Sequence, residues 1–186
     1  MLQTLMAIVL GTLADLLAAA FLLRFAMQWA KLSFYNPIGQ FILAVTDWAV
    51  IPMRRLVPGY LGFDWSSLLL AWLCQSVFLT LLALTGGFIS SLLGVTFVVS
   101  MLETLRLALH VAMAVVIVSA LLSWINPHAP MAPLIHQLAY PLLKPFRRWI
   151  PAIGGVDLSP LAALLVLQVG QVILRYSSAH LLPGLL

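Results

Sequence analysis

Charge is what this chain has least of. Only 8% of its 186 residues are charged, five acidic and nine Lys or Arg, while 63% are hydrophobic. A soluble domain of this length covers itself with polar side chains, so the composition excludes one and points to an integral membrane protein. Cysteine is almost missing: Cys74 stands alone inside an apolar segment, which rules out an internal disulfide and a Cys-based metal cluster. It reads as a small core residue. His110, His128, His136 and His180 are scattered, none at ligand spacing to an acid or a cysteine on a shared helix face, so no metal site is expected. The chain also lacks a nucleophile and base pair, a Gly-rich phosphate loop and a haem attachment sequence. These absences predict a non-enzyme without cofactors. No Lys or Arg precedes the first apolar run, which is too long for a signal-peptide core and reads as a retained span. The net charge of +4 comes from basic residues adjoining apolar runs, which excludes a nucleic-acid surface and favours anionic lipid head groups as the partner.

What the chain does have, it has twice. Pro52-Met53-Arg54-Arg55-Leu56-Val57-Pro58 is followed by Asp64-Trp65-Ser66, and Pro145-Phe146-Arg147-Arg148-Trp149-Ile150-Pro151 is followed by Asp157-Leu158-Ser159. Asn36-Pro37 recurs as Asn126-Pro127, 90 positions later, and Arg54, Asp64 and Gln75 recur as Arg147, Asp157 and Gln168, 93 positions later. Four segments are long enough to cross the hydrocarbon: Leu2 to Trp29, Trp65 to Leu84, Leu105 to Ile125, and Leu158 to Tyr176. The expected fold is an all-α membrane protein with four transmembrane helices in two tandem parallel repeats, residues 1–85 and 86–186. Each repeat runs helix, interfacial helix, Arg-Arg turn, helix. Thr85-Gly86-Gly87 reads as the turn between them. Lys31, Arg54, Arg55, Lys144, Arg147 and Arg148 fall in two connections, so the positive-inside bias puts both turns in the cytoplasm and both termini outside. Five spans would separate the two turns. Phe88 to Leu102 is therefore an extension of the third span, or an outer-leaflet re-entrant or interfacial linker within 86–104.

The prolines on either side of each Arg pair, Pro52 and Pro58, Pro145 and Pro151, are expected to stop helical continuation and stiffen a turn, and Pro141 to break the second interfacial helix. Arg54, Arg55, Lys144, Arg147, Arg148 and Trp149 are the candidate lipid- or partner-binding residues. Asp64 and Asp157, assisted by Ser66 and Ser159, are candidate caps for the helices that follow. Inside the spans, Arg24, Gln75, Gln168 and Gln171 are expected to meet at one level, either as polar glue between helices or as a hydrophilic path. Counting from the Asn-Pro dipeptides puts Asp15 and Arg106 at matching depths, as an ion pair or a proton relay.

The second repeat, from Ser123-Trp124-Ile125-Asn126-Pro127 through Pro141-Leu142-Leu143-Lys144-Pro145-Phe146-Arg147-Arg148-Trp149-Ile150-Pro151 to Gly154-Gly155-Val156-Asp157-Leu158-Ser159-Pro160, strongly resembles the YggT family of small bacterial membrane proteins. With Leu23-Arg24 through Gln28-Trp29 and Phe34-Tyr35-Asn36-Pro37, the resemblance covers nearly the whole chain. The first repeat departs from it in Trp48, where the second has Pro141, and in Ser67, where the second has Pro160. The resemblance implies a bacterial inner-membrane protein of undefined biochemistry, associated with osmotic stress tolerance and potassium uptake, with plastid relatives that organise membrane complexes and nucleoids. It implies no catalytic residues. Two functions follow as expectations: a non-enzymatic scaffold or assembly factor that engages anionic lipid and a membrane or cytoplasmic protein, or an ion or small-solute permeation module. The second lacks a TVGYG-type filter and would need a homo-oligomer to line a path.

Overall fold

The computed structural model describes residues 2–59, 62–85, 93–150 and 157–181. Within them the chain forms six helices: α1 (Leu2–Trp29), α2 (Pro37–Leu56), α3 (Trp65–Thr85), α4 (Leu93–Ile125), α5 (Ala132–Trp149) and α6 (Ser159–Leu181). Among the described residues, α1, α3, α4 and α6 are the four helices long and apolar enough to cross a membrane. Each is apolar nearly all round, as lipid on one side and protein on the other require, whereas α2 and α5 carry one apolar face each.

α4 is a single helix of 33 residues, so Leu93–Leu102 extends the third span and forms no separate segment. At 1.5 Å per residue it is about 50 Å long, well over the roughly 30 Å hydrocarbon thickness. The expected Gly86-Gly87 turn, the start of the 88–102 piece, and Pro151 with Gly154-Gly155 lie outside the described residues.

α1 stops earlier than its Asn-Pro landmark. Lys31 adopts a left-handed backbone, φ 54°, the Leu32 N–H donates to the Met27 carbonyl at 2.9 Å and the Lys31 N–H to the Gln28 carbonyl at 3.0 Å. That is a Schellman termination with Leu32 folded back on the core. Asn36 belongs to the next helix: its Oδ1 accepts the Gly39 N–H at 2.8 Å, and Pro37 fills the first helical turn.

The prolines correct an expectation. Pro52 lies inside α2, and Pro141 and Pro145 inside α5, and both helices run on to include their Arg pairs in the last turn. Each proline removes one helical hydrogen bond, but Pro52 and Pro145 are exposed, where the freed carbonyls can reach water or head groups. The helices end only at Val57 and Ile150.

α1 packs against α2, α3 and α4, and α4 against α1, α3, α5 and α6. Ala20 and Met27 of α1, Ile42 of α2, Val115 and Val116 of α4, Leu138 and Leu143 of α5 and Ala163 of α6 share one buried cluster. Ala18, Phe21, Leu22, Ala49, Val50 and Ala71 form another. The tightest approach is at Gly39, where an added Cβ would lie 2.7 Å from the Phe34 Cα and carbonyl oxygen, backbone that cannot step aside. Gly39→Ala should destabilise the protein by about 1–3 kcal/mol. Gly94→Ala, which meets open space, should be neutral or stabilising. Thermal unfolding of both variants in detergent checks the difference.

Candidate functional site

The polar chemistry gathers where α2 ends and α3 begins. Arg24 of α1 is buried, its side chain 3% exposed, and lies between two carboxylates. Its Nη1 donates to Thr46 Oγ1 and to Asp47 Oδ1, both at 2.7 Å, and its Nε lies 3.5 Å from Asp64 Oδ2 without a hydrogen bond. Asp64, 0% exposed, also receives Arg54 Nη2 at 2.5 Å, Arg54 Nε at 3.3 Å and the Ser67 hydroxyl at 2.8 Å. The Ser66 hydroxyl donates to the Val57 carbonyl at 2.6 Å, tying the first turn of α3 to the end of α2. Two arginines and two aspartates, with hydroxyls for the remaining acceptors, make a charge-balanced cluster joining three helices. Asp64 stands at the expected cap position of α3, its backbone carbonyl receiving the N–H groups of Ser67 at 3.0 Å and Leu68 at 3.4 Å, while its carboxylate takes side-chain donors from Arg54 and Ser67.

The other half keeps one piece of this. Arg147 Nε donates to Asp157 Oδ2 at 2.9 Å, with the two side chains 43% and 30% exposed, and Asp157 Oδ1 accepts the Ser159 N–H at 2.9 Å, in line with its expected place at the start of α6. The Ser159 hydroxyl is buried without a partner among the described residues. The positions 90 after Arg24 and 93 after Thr46 and Asp47 hold Ala114, Ala139 and Tyr140, so this half has no buried guanidinium. It has instead a polar niche of about 10 Å³ lined by Ser119, Ser123, His136, Arg147 and Asp157 among others, with Ser119 Oγ 2.9 Å from His136 Nδ1. That is room for about one water.

Arg55, Lys144, Arg148 and Trp149 are exposed around the two Arg–Asp clasps, Trp149 at 84%. Burial pushes the Asp64 carboxyl up, but hydrogen bonds from Arg54 and Ser67 and the charges of Arg54 and Arg24 outweigh it and hold it below the usual carboxylate range. Asp157 is likewise lowered, burial being outweighed by Ser159 and Arg147.

The intramembrane residues do not meet as expected. Arg24 joins the cluster near the end of α1, only about 8 Å along the helix from Trp29. Gln75, buried, donates Nε2 to Asp15 Oδ1 at 2.7 Å. Gln168 is exposed on α6, and Gln171 Nε2 donates to the Arg106 carbonyl at 3.0 Å. Asp15 and Arg106 form no ion pair: Arg106 Nη1 faces Glu103 Oε2 at 3.4 Å on its own helix. The reason is the early stop of α1. Residues 30–36 are not helical, so depth counted from Asn36 overstates how far Arg24 and Asp15 lie from the end of their helix, while α4 is helical to Ile125. A further polar link joins α3 and α4: Trp72 Nε1 donates to Ser100 Oγ at 3.0 Å and Ser76 Oγ to the same oxygen at 2.8 Å. Thr46, Asp47 and this serine link were not singled out from the sequence as site residues. The adjacent Thr46-Asp47 in an apolar register was the available signal.

Removal of the central guanidinium should be severe. Arg24→Met leaves Asp47 and Asp64 short of a partner and should lower stability by about 3–5 kcal/mol. Asp64→Asn should cost far more than Asp157→Asn, whose partly exposed pair contributes about 1 kcal/mol or less. Because both carboxyls are lowered in the folded state, their contribution is fully present above the unfolded value near 4 and is lost as pH falls through the folded values. Stability measured in detergent by thermal unfolding should not fall through these groups between pH 7 and pH 5. It should drop below about pH 4, and the Asp64→Asn variant should show less of that drop.

Sequence comparison gives this arrangement its relatives. The CCB3/YggT family model matches twice, over residues 3–85 and 89–177. An uncharacterised protein of Pseudomonas aeruginosa is 40% identical over 168 residues, 87% of this chain and 83% of its own length. The uncharacterised YggT protein of Escherichia coli is 35% identical over 181 residues, 95% and 94% of the two chains, and an uncharacterised protein of Vibrio alginolyticus is 34% identical over 165 residues, 88% and 89%. No solved structure matches this chain. With four membrane-length apolar helices and matches that together run nearly end to end, the chain belongs to the CCB3/YggT family.

Proposed function

We propose that this chain is a non-enzymatic inner-membrane scaffold or assembly factor, built as two parallel repeats, 1–85 and 86–186, whose basic helix ends face the cytoplasm and engage anionic lipid and a partner protein. The observation that carries this reading is the repeated Arg–Asp clasp: Arg54–Asp64 and Arg147–Asp157 hold the ends of α2 and α5 against α3 and α6. Each clasp fixes the height of its exposed neighbours, Arg55 in one half and Lys144, Arg148 and Trp149 in the other. A fixed guanidinium beside an interfacial indole suits a phosphate head group at constant depth. The amphipathic α2 and α5 suit the plane of the interface, and the positive-inside bias supports cytoplasmic basic ends with both termini outside. The similarity to bacterial proteins supports the inner membrane as the location, and the resemblance to the YggT proteins supports a link to osmotic stress tolerance.

Replacing Arg55, Lys144 and Arg148 with Gln leaves both clasps intact. At about 1 kcal/mol per basic residue near an anionic surface, the triple variant should lose roughly 100-fold in preference for anionic over zwitterionic lipid. Lipid exchange in nanodiscs of the two compositions measures this, and affinity isolation from native membranes with the same variant measures partner capture. Unchanged lipid preference together with unchanged co-isolating proteins overturns the scaffold reading.

One observation favours the second reading, a permeation module for an ion or small solute, with potassium the first to try. Asp15–Gln75 and Arg106–Gln171 put polar groups halfway along α1, α3, α4 and α6. Flux of potassium into proteoliposomes above that of empty vesicles, lowered by Gln75→Leu, supports it; no flux across salt and voltage conditions rejects it.

A further inference from the structure

The exposed side of α4 and α6 carries a polar band that no other element among the described residues covers. On α4, Glu103, Arg106 and His110 succeed one another at single-turn spacing, the first two side chains 29% and 40% exposed and His110 exposed. On α6, Gln171 reaches across to the Arg106 carbonyl at 3.0 Å, and Gln168 and Arg175, one turn to either side of it, are exposed. Gln171 lies about 18 Å along α6 from Ser159 and about 15 Å from Leu181, so the band crosses the middle of that helix. Apolar side chains are exposed next to the band: Ile117, Val118 and Leu121 on α4, and Leu165, Val166, Val169, Val172 and Ile173 on α6.

Charged side chains at the centre of a membrane helix are disfavoured by about 2.5–3.5 kcal/mol each when hydrocarbon surrounds them. Their pairing within one turn is weak here, since Arg106 meets Glu103 only at 3.4–3.5 Å. Such a band needs a protein face of matching polarity against it. The band is its own match. In a pair of copies related by a two-fold axis along the membrane normal, every residue meets the partner copy at the same depth. Glu103 and Arg106 differ in height by about 4.5 Å, within reach of an arginine side chain, so opposite charges meet twice across the axis. His110, on the same helix, faces its own counterpart with a donor and an acceptor to exchange.

We infer that the α4–α6 face is the contact between two copies of this chain, held by reciprocal Glu103–Arg106 pairs inside the bilayer. The contact is independent of the lipid reading, whose basic residues lie at the ends of α2 and α5.

The test uses full-length chains carrying two different tags, co-expressed and reconstituted at low protein-to-lipid ratio in mixed phosphatidylethanolamine and phosphatidylglycerol bilayers. Wild-type chains should co-isolate. Glu103→Arg puts two positive charges on the α4 part of the band and Arg106→Glu two negative, so each variant should lose self-association at least tenfold. Glu103→Arg chains mixed with Arg106→Glu chains should recover it. Recovery between different chains cannot arise from a pair within one helix. Wild-type chains that stay monomeric, variants that self-associate like wild type, or a mixture that fails to recover each overturn the contact.

If a charge reversal fails to fold, single cysteines in a Cys74→Ser background give the second measurement. His110→Cys should form a disulfide-linked dimer on mild oxidation, and Val77→Cys, exposed on α3, should not. Crosslinking at Val77 but not at His110, or at neither position, is the contrary result.

Discussion

A guanidinium buried about 8 Å from the end of a membrane helix cannot be left alone, and the first half of this molecule is arranged around that constraint. Arg24 is 3% exposed and faces Asp47 from α2 and Asp64 from the start of α3. An uncompensated buried charge costs several kcal/mol, and so does an uncompensated buried carboxylate. The three helices are therefore coupled: displacing α2 or α3 strands a charge, not merely an apolar contact. Thr46 and Ser67 complete the arrangement by donating or accepting where the ions alone would leave lone pairs open.

The second half solves the same geometric problem without the buried ion. Ala114, Ala139 and Tyr140 stand at the positions related to Arg24, Thr46 and Asp47 by the repeat spacing, and only the outer Arg147–Asp157 pair is kept. That pair is partly exposed, so solvent screens it and it contributes little to stability. The niche bounded by Ser119, His136 and Asp157 is polar and small, suited to a single water. One half is thus locked by a buried charge cluster, and the other keeps only the outer pair beside a polar niche.

Much of the fold was legible in the sequence because it depends on local pattern. Apolar runs of spanning length predicted α1, α3 and α6 to within a few residues, and one-sided periodicity predicted α2 and α5. The recurrence of Arg54 and Asp64 as Arg147 and Asp157 is plain in the sequence, but it suggests lipid-binding arginines and capping aspartates, and the pairing of each Arg with its Asp emerges only from the structure. Side-chain partners were less legible, and a single local event accounts for most of the misplacement. Lys31 turns left-handed and ends α1 seven residues before Asn36, shortening the depth of everything measured from that dipeptide. Arg24 thereby moves to the aspartates at the helix ends, and Asp15 moves to Gln75. Nothing in residues 30–36 announces a left-handed lysine, since glycine or asparagine is the usual occupant of that position.

The proline residues make the complementary point. Read one at a time, Pro52, Pro141 and Pro145 are helix breakers, and all three sit inside helices. Proline forbids one hydrogen bond and crowds one carbonyl, a local penalty that tertiary packing can outweigh when the freed carbonyl faces a polar phase. α2 and α5 meet that condition because they are amphipathic, burying Ile42, Thr46, Ala49 and Val50, or Leu138, Ala139 and Leu143, against the spans while the opposite side stays exposed. Continuing the helix through the proline carries both arginines of each pair into its last turn, where the negative end of the helix dipole favours cations. One of each pair can then turn inward to its aspartate while the next points out. A turn that broke at Pro52 or Pro145 would have lost that division of labour, so helical continuity, rather than proline stiffness, is what orients the basic residues.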